Sequence, residues 1–299
     1  MKLDIRYRCS FEYDELVRES QNELRVCPMS DQRQTVISYR VSSSPPARFF
    51  SFEDYWGTRV DAFGVREPHI AIEIVAEATV ETYATPVFAA SADVSALTDL
   101  DFLAEHIEYL ERTPHVDWND DITAEAQRQL EQGAPDVVAV VLGIHRRASA
   151  LLTYCPGTTY VGVPIASVLA RGEGVCQDYA HLAVAMCRAA GIPARYVSGY
   201  LFTSDDSTGA DTVGDVVTVQ THAWFEAAIP GVGWLALDPT NRQEVGLRHV
   251  KIGHGRDYGD VPPLRGVYTG PPHADLQVGV EMRRLSAAQA QQQAQQQQQ

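Results

Sequence analysis

The sequence predicts an α+β fold, in which a β-rich N-terminal part precedes a part that mixes helices and strands. Several stretches before residue 81 alternate between apolar and polar residues with period two, which is typical of strands with one buried face. After Pro86 the apolar residues recur every three or four positions, which is typical of amphipathic helices. Beyond residue 194 the strand pattern returns. The chain of 299 residues is long enough for one large or two medium domains.

Residues 1–90 are predicted to form a small β-sandwich domain. Every odd position from Leu3 to Tyr13 is apolar, and residues 70–80 show the second-clearest alternation in the chain. Residues 49–63 indicate a hairpin that turns near Gly57. Several short strands with turn signals between them are typical of a sandwich.

The rest of the chain is predicted to form a second domain over residues 91–270, a C-terminal strand over 271–286 and a disordered tail over 287–299. The tail is almost pure glutamine and cannot bury a core. Residues 242–270 are rich in Gly, His and Pro with little periodicity, so we expect an ordered loop there. Helical spacing predicts three helices between residues 98 and 151, and strand patterns occupy 195–203, 216–229 and 234–238.

Composition and charge exclude several classes of protein. With 39 acidic and 24 basic residues, the formal charge of −15 repels phosphate backbones and anionic lipids, so no nucleic-acid or membrane partner is expected. No apolar run reaches the ~20 residues that span a bilayer, and MKLDIRYRCS lacks an apolar signal core, so we expect a cytoplasmic protein. The five cysteines form no CxxC pair, which disfavours a disulfide framework. The oligomeric state does not follow from the sequence.

The first candidate functional residue is Cys176, within the segment 172–190, GEGVCQDYAHLAVAMCRAA. A turn bracketed by Gly172 and Gly174 delivers Cys176 to the first turn of a predicted helix, which Gly191 ends. At that position several backbone N–H groups are unpaired and the helix dipole is positive. Both effects favour the thiolate, which is the nucleophilic form of cysteine.

His222 and Asp238 are the second and third candidates, because a turn at Pro230 lies eight residues from each of them. In an antiparallel pair they become cross-strand neighbours, with Cβ atoms ~5 Å apart. There the carboxylate accepts from the imidazole Nδ1–H and leaves Nε2 facing a nucleophile. A surface His–Asp pair beside a hairpin is the structural alternative.

Three strings carry a family resemblance: GVCQDYAHLAVAMCRAAGIPARYVSGY (174–200), THAWFEAAIPGVGWLALDPTN (221–241) and GRDYGDVPPLRGVY (255–268). With Cys, His and Asp in this order, the sequence resembles the transglutaminase-like superfamily of papain-type cysteine enzymes. The third string and the leading β region resemble the bacterial branch that carries its own β-sandwich before the core. The resemblance covers residues 1–285 and implies a papain-like core, in which helices pack on an antiparallel sheet.

The resemblance also implies the role of each candidate. Cys176 matches the nucleophile that attacks an amide carbonyl, and His222 matches the base that pairs with it and then protonates the leaving amine. Asp238 matches the orienting carboxylate. The backbone N–H of Cys176 is the first expected oxyanion donor. The second donor stays open between Tyr154 and Gln177.

The expected reaction is hydrolysis of an amide or peptide bond through a thioester acyl-enzyme, with a peptide or protein amide as substrate. The animal cross-linking enzymes have an aromatic residue directly after the cysteine and calcium sites elsewhere, whereas Gln177 and Asp178 follow Cys176 here and no calcium loop is recognisable. Transglutaminase-type acyl transfer to an amine is the first alternative, and a non-catalytic protein-binding scaffold is the second. No cofactor is expected.

The remaining chemical residues near Cys176 are interpreted as structural. Cys176, Asp178 and His181 offer three candidate ligands without a second cluster, so no metal site is expected. We interpret Asp178 as a partner of the helix dipole, His181 as a packing residue and Cys187 as a buried thiol. The residues Arg256, Asp257 and Tyr258 either line the cleft or anchor their loop.

Overall fold

The computed structural model describes residues 1–84, 92–203, 216–270 and 274–286. Its helices and antiparallel sheets confirm the predicted α+β class. The predicted tail over 287–299 and the part of the predicted domain boundary at 85–91 lie outside these ranges. Within them, no helix combines the length and the apolar character needed to cross a lipid bilayer.

In chain order, the strands of the described ranges are β1 (Lys2–Val17), β2 (Glu19–Leu24), β3 (Gln34–Ser44), β4 (Phe49–Glu53), β5 (Arg59–Val65), β6 (His69–Thr82), β7 (Thr153–Tyr154), β8 (Glu173–Gly174), β9 (Ala194–Leu201), β10 (Val216–Val219), β11 (Thr221–Ile229), β12 (Gly233–Asp238), β13 (Gln243–Glu244), β14 (His249–Gly255), β15 (Leu264–Thr269) and β16 (Ala274–Arg284). The helices are α1 (Leu100–His106), α2 (Asp120–Gly133), α3 (Val137–Leu151), α4 (Ile165–Arg171) and α5 (Cys176–Ala189), with short 3-10 turns at Val94–Thr98, Ile107–Tyr109 and Tyr258–Asp260.

Three large sheets organise these strands, and every pairing within them is antiparallel. The first has the order β10-β16-β1-β6-β3 and the second the order β15-β2-β5-β4. Both contribute to one hydrophobic core, as expected of a sandwich. The third, which we call the core sheet, has the order β13-β12-β11-β9-β14.

The period-two pattern of the N-terminal strands corresponds to one buried and one wet face. In β1 the side chains of Leu3, Ile5 and Tyr7 are buried, whereas Arg6 and Arg8 are exposed. The predicted hairpin is also confirmed, since β4 pairs with β5 and Gly57 adopts a φ of 74° in the turn between them.

Residues 242–270 are not the continuous loop that the sequence predicts, because they contain β13, β14 and β15. Strand β14 joins the core sheet, while β15 returns to the sandwich and pairs with β2. Nearly every residue of β14 is buried, including the polar side chains of His249 and Lys251. A strand that is buried on both faces need not alternate, so this segment shows no strand period in the sequence.

Helix α5 lies between the core sheet and the helices α2 and α3. Its apolar residues Leu182, Ala183 and Met186 are fully buried, as their helical spacing predicts. Gly191, with a φ of 75°, follows the C-terminal end of the helix. The buried side of α5 therefore places its first residue, Cys176, against the strands that carry His222 and Asp238.

The sandwich packs directly on the core sheet. Tyr200 of β9 and Val250 of β14 belong to the hydrophobic core of the sandwich. The Gln34 side chain bonds both main-chain groups of Lys251, accepting from its N–H at 2.8 Å and donating to its carbonyl oxygen at 2.8 Å. The sandwich thus holds β14 by hydrogen bonds as well as by apolar contact.

Candidate active site

Cys176 occupies the first turn of α5, as predicted, and is partly buried. The first N–H groups of a helix have no partner inside the helix, so those of Cys176 and Gln177 lie at its open end. The Asp178 carboxylate accepts the N–H of Val175 at 2.8 Å and the hydroxyl of Thr159 at 2.6 Å. Asp178 therefore stabilises the helix start, in agreement with its interpretation as a first-turn residue.

The turn before Cys176 needs its two glycines for different reasons. Gly172 has a φ of 70° and ends α4 in the left-handed conformation. Gly174 pairs with Tyr154 in the parallel β7–β8 pair, and a Cβ at Gly174 would lie 2.8 Å from the Cβ of Asp178. The absence of a side chain at Gly174 lets the helix-capping carboxylate close over the turn.

His222 and Asp238 meet as predicted, although the register of their strands differs by two residues from the expected one. The β11–β12 ladder pairs Phe225 with Leu237, so one further step places Asp238 opposite Trp224 rather than opposite His222. A shift of two residues keeps side chains on the same face of a sheet, whereas a shift of one would separate them. The two side chains consequently still form a hydrogen bond.

The ring of His222 presents to Asp238 the nitrogen that was expected to face Cys176. Its Nε2, and not its Nδ1, lies 2.8 Å from Oδ2 of Asp238. Asp238 lies diagonally across from His222 and not directly opposite it, so the two backbones are farther apart at these residues. Nε2, the ring nitrogen farther from the backbone, reaches across this longer distance. Burial alone would lower the pKa of His222, but its hydrogen bonds with Asp238 and Cys176 outweigh burial and raise that pKa to about 10. With Nε2 on Asp238, Nδ1 is the nitrogen left for Cys176.

Asp238 is completely buried and is surrounded by hydrogen-bond donors. Its Oδ1 accepts the backbone N–H groups of Thr240 at 3.0 Å and Asn241 at 3.2 Å. Its Oδ2 accepts from Asn241 Nδ2 at 2.8 Å and from His249 Nε2 at 3.2 Å, in addition to His222. Burial by itself raises the pKa of a carboxyl, but the bonds from His222 and His249 hold the pKa of Asp238 far below its usual range.

Two members of this site, Asn241 and His249, were not identified from the sequence. Asn241 ends the second family string, and an Asp followed at short range by Asn was a usable signal for a local turn. His249 lies in the segment predicted as a loop, and its spacing from Asp238 carries no recognisable motif. Only the pairing of β14 with β9 brings His249 to the site.

The nitrogen and oxygen atoms of His222, Asp238 and His249 lie within 4.8 Å of one another, which also suits a metal ion. However, Nδ1 of His249 accepts the backbone N–H of Gly246 at 3.2 Å, so Nε2 carries the ring proton. That proton points at Oδ2 of Asp238, which already accepts other donors. The cluster is therefore interpreted as a hydrogen-bonded set.

The third family string anchors the wall of the site. Arg188 is buried and donates to the carbonyl oxygens of Arg256 at 2.6 Å and Ala194 at 2.9 Å. Tyr258 donates its backbone N–H to Nε2 of His181 at 3.2 Å, and burial lowers the pKa of His181 to about 3. The same segment also reaches Cys176, because Cys176 and Tyr258 pack into one small apolar cluster.

Tyr154 lies beside Cys176, whereas Gln177 follows it on the helix. Burial and the nearby charge of Cys176 both raise the pKa of the Tyr154 hydroxyl. About half of Tyr154 is exposed. The choice between Tyr154 and Gln177 as the second oxyanion donor stays a prediction.

All five cysteines are free, and three of them are buried. Burial raises the pKa of Cys9 to about 11 and of Cys27 to about 12, and it raises the pKa of Cys187 further. Cys187 is fully buried, in agreement with its structural interpretation. Cys155 and Cys176 are the two partly exposed thiols.

Known family models cover both parts of the chain. The model described as the transglutaminase-like superfamily matches residues 116–239, a range that contains Cys176, His222 and Asp238. The model described as the bacterial transglutaminase-like N-terminal region matches residues 3–81.

Individual proteins agree with these models. An uncharacterized protein of Mycobacterium leprae is 36% identical over 285 residues, which is 95% of this chain and 99% of that protein. A protein-glutamine gamma-glutamyltransferase of Pseudomonas aeruginosa is 39% identical over 107 residues, which is 33% of this chain and 15% of that protein. The crystal structure of a cysteine protease candidate from Cytophaga hutchinsonii superposes with a TM-score of 0.73 at 24% identity, covering 96% of this chain and 91% of that one. The chain therefore belongs to the transglutaminase-like superfamily, with the bacterial N-terminal region ahead of its core.

Proposed function

We propose that the chain is a cysteine-dependent enzyme that hydrolyses an amide or peptide bond through a thioester acyl-enzyme. The observation that carries this proposal is the position of His222, whose Nε2 is hydrogen-bonded to Asp238 at 2.8 Å and whose ring also interacts with Cys176. A thiol, an imidazole and a carboxylate in this order form the nucleophile, the acid–base group and the orienting group of a triad. Substrate, partners and a cytoplasmic location stay predictions from the sequence.

In the first step, the Cys176 thiolate attacks the amide carbonyl while His222 holds the proton. The raised pKa of His222 favours this imidazolium form. Negative charge then develops on the carbonyl oxygen near the open end of α5, where the N–H of Cys176 can donate, together with the hydroxyl of Tyr154. His222 next protonates the leaving amine, so that the C–N bond breaks and the thioester remains.

In the second step, water attacks the thioester and His222 accepts one of its protons. The carboxylic acid leaves, and Cys176 regains the thiolate form. Asp238 stays an acceptor throughout, because its hydrogen bonds stabilise the ionised carboxylate.

Transfer of the acyl group to an amine is the second candidate. It is favoured by the likeness of about a third of the chain to the Pseudomonas aeruginosa gamma-glutamyltransferase. Both reactions share the acyl-enzyme and differ only in the molecule that attacks the thioester.

The test is to trap the acyl-enzyme on Cys176 with a library of peptide amides and to locate it by mass spectrometry of the acid-quenched protein. The Cys176→Ala and His222→Ala variants should give no acyl adduct and no turnover, whereas Cys155→Ala, which removes the other partly exposed thiol, should behave as the wild type. Near-wild-type turnover by His222→Ala would contradict the proposal. Absence of any adduct across the library would favour the protein-binding scaffold.

Partitioning of the acyl group then separates the two reactions. In excess lysine-like amine, we expect most product to carry a free carboxylate, with an unchanged rate after addition of a calcium chelator. Product that mainly carries the amine would establish the transferase instead.

A further inference from the structure

His249 takes no part in the steps of the proposed reaction, but the hydrogen bonds of its two ring nitrogens define where its proton lies. It is buried on β14, and its Nδ1 accepts the N–H of Gly246 at 3.2 Å. The acceptor nitrogen carries no proton, so the ring is the neutral tautomer with its proton on Nε2. That Nε2–H points at Oδ2 of Asp238, 3.2 Å away. His249 thus acts on Asp238 as a donor without adding a charge.

Oδ2 of Asp238 is the same oxygen that holds His222. A carboxylate accepts hydrogen bonds when ionised, and each donor that it binds favours the ionised form. With Asp238 fully buried, water cannot supply these donors, so the protein must. Within the described ranges, three side chains donate to Oδ2. His222 links this oxygen to Cys176 in the proposed triad, and His249 and Asn241 are the two donors outside the triad.

We propose that His249 is a positioning residue, which keeps Oδ2 of Asp238 directed at the Nε2–H of His222. The role in catalysis rests on the proposed function, but the effect on Asp238 can be measured without a substrate. His249 touches neither the nucleophile nor the reacting carbonyl and acts only through Asp238.

The surroundings hold the His249 ring firmly. The ring of Trp224 contacts it edge to face, with centroids 5.3 Å apart. Two residues further along β14, Gln34 of the sandwich bonds both main-chain groups of Lys251. Through these two hydrogen bonds the sandwich holds the strand that carries His249.

The charged groups near His249 do not substitute for its hydrogen bond. Asp238 and His222 are not the only titratable groups close to His249 in the described ranges. A cavity of about 20 Å³ beside His249 is lined by four charged side chains. These are Asp31, Arg33, Glu226 and Lys251. Glu226 and Lys251 neutralise each other through contacts of 2.7 and 2.9 Å.

His145 provides a matched control, because it bonds the same aspartate at a different atom. Its Nε2 lies 3.0 Å from the backbone carbonyl oxygen of Asp238, not from the carboxylate. His145 and His249 are each only 6% exposed, so their replacement disturbs the packing to a similar extent. A purely structural role predicts similar consequences for both substitutions, whereas a positioning role does not.

The experiment is the pH dependence of Cys176 alkylation by iodoacetamide in the full chain, with peptide mapping of the adduct. His249→Phe keeps a ring but removes the donor. Oδ2 of Asp238 is then directed less firmly at His222, the pairing of His222 with Cys176 weakens, and the acid limb of Cys176 alkylation moves to higher pH. We expect a rate about tenfold below wild type at mildly acidic pH, as for a shift of about one pKa unit. His249→Gln, whose amide nitrogen can reach Oδ2, should restore most of the rate, and His145→Phe should keep the wild-type profile.

A wild-type profile for folded His249→Phe would overturn the proposal, as would equal shifts in the His249→Phe and His145→Phe variants. If His249→Phe does not fold, imidazole ¹⁵N shifts of the wild-type protein decide the question. They should show His249 as the neutral Nε2–H tautomer, and an Nδ1–H or charged ring would contradict the proposed hydrogen bond. Failure of the proposed function is separate, since it would appear as missing acyl-enzyme with these profiles unchanged.

Discussion

Two buried carboxylates share one face of the core sheet but are held by different partners. Asp238, which is fully buried, accepts from imidazole rings and from amide N–H groups. Glu226, 5% exposed, lies near it on β11 and is held by Arg195 at 2.6 Å and by Lys251 at 2.7 Å. The Asp238 cluster lies next to Cys176, whereas the Glu226 cluster lies next to the sandwich.

The partners determine what each carboxylate can do. Burial alone would raise the pKa of Glu226, but the charges of Arg195 and Lys251 outweigh it and lower that pKa. Burial lowers the pKa of Lys251 to about 8, which leaves the amine mostly charged at neutral pH, so the cluster is an ion pair. The partner of Asp238 is an imidazole, whose proton can move to and from a substrate. Of these two buried acids, Asp238 is the one whose partner also interacts with Cys176.

The largest expected difference is in the reaction rate. Asp238→Asn presents an amide where His222 needs an acceptor, which favours the wrong tautomer of the ring. We expect a rate of Cys176 acylation roughly 10³- to 10⁴-fold below wild type. Glu226→Gln should acylate at close to the wild-type rate per folded molecule, measured with an activated ester and normalised by circular dichroism. Equal losses in both variants would remove the functional distinction between the two carboxylates.

Stability should respond in the opposite order. Glu226→Gln leaves Arg195 and Lys251 as buried cations without a counter-charge, so we expect the free energy of unfolding to fall by about 3 kcal/mol. Asp238→Asn leaves His222, which can lose its proton, and His249, which is already neutral, so its cost should be nearer 1 kcal/mol. Urea denaturation of both variants at neutral pH measures these values. A larger loss for Asp238→Asn would reverse our assignment of the structural cluster.

The smallest effect is the pH dependence of stability. The folded-state pKa of His222 is about 10, above its ordinary value of 6.5, so the folded protein binds this proton more tightly. The contribution of His222 is therefore fully present below about pH 6.5 and is lost as the pH rises through about 10. We expect the difference in unfolding free energy between wild type and His222→Gln to shrink across that window. The Glu226→Gln background should show the same decrease, and a constant difference would contradict the raised pKa.

Local sequence patterns predicted the elements and most of the site. Cys176 was identified because a glycine turn and a helical period mark the start of a helix, and these are short-range properties. His222 and Asp238 were placed together by the turn near Pro230, and the two-residue difference in register did not separate them. Side chains along a strand alternate between the two faces, so a register shift of two residues leaves a predicted pair on the same face.

The sequence alone thus determined the α+β class, the turn that places Cys176 at the start of a helix and the family to which the chain belongs. The tertiary structure alone decided which nitrogen of His222 meets Asp238, and it alone brought His249 to that carboxylate. Gly199 of β9 shows the physical reason. A Cβ at Gly199 would lie 2.4 Å from the Trp224 ring of β11 and 2.3 Å from the carbonyl oxygen of Val250 on β14. The side chains of β11 and β14 meet across the strand between them, and contacts between segments distant in the chain leave no period in the sequence.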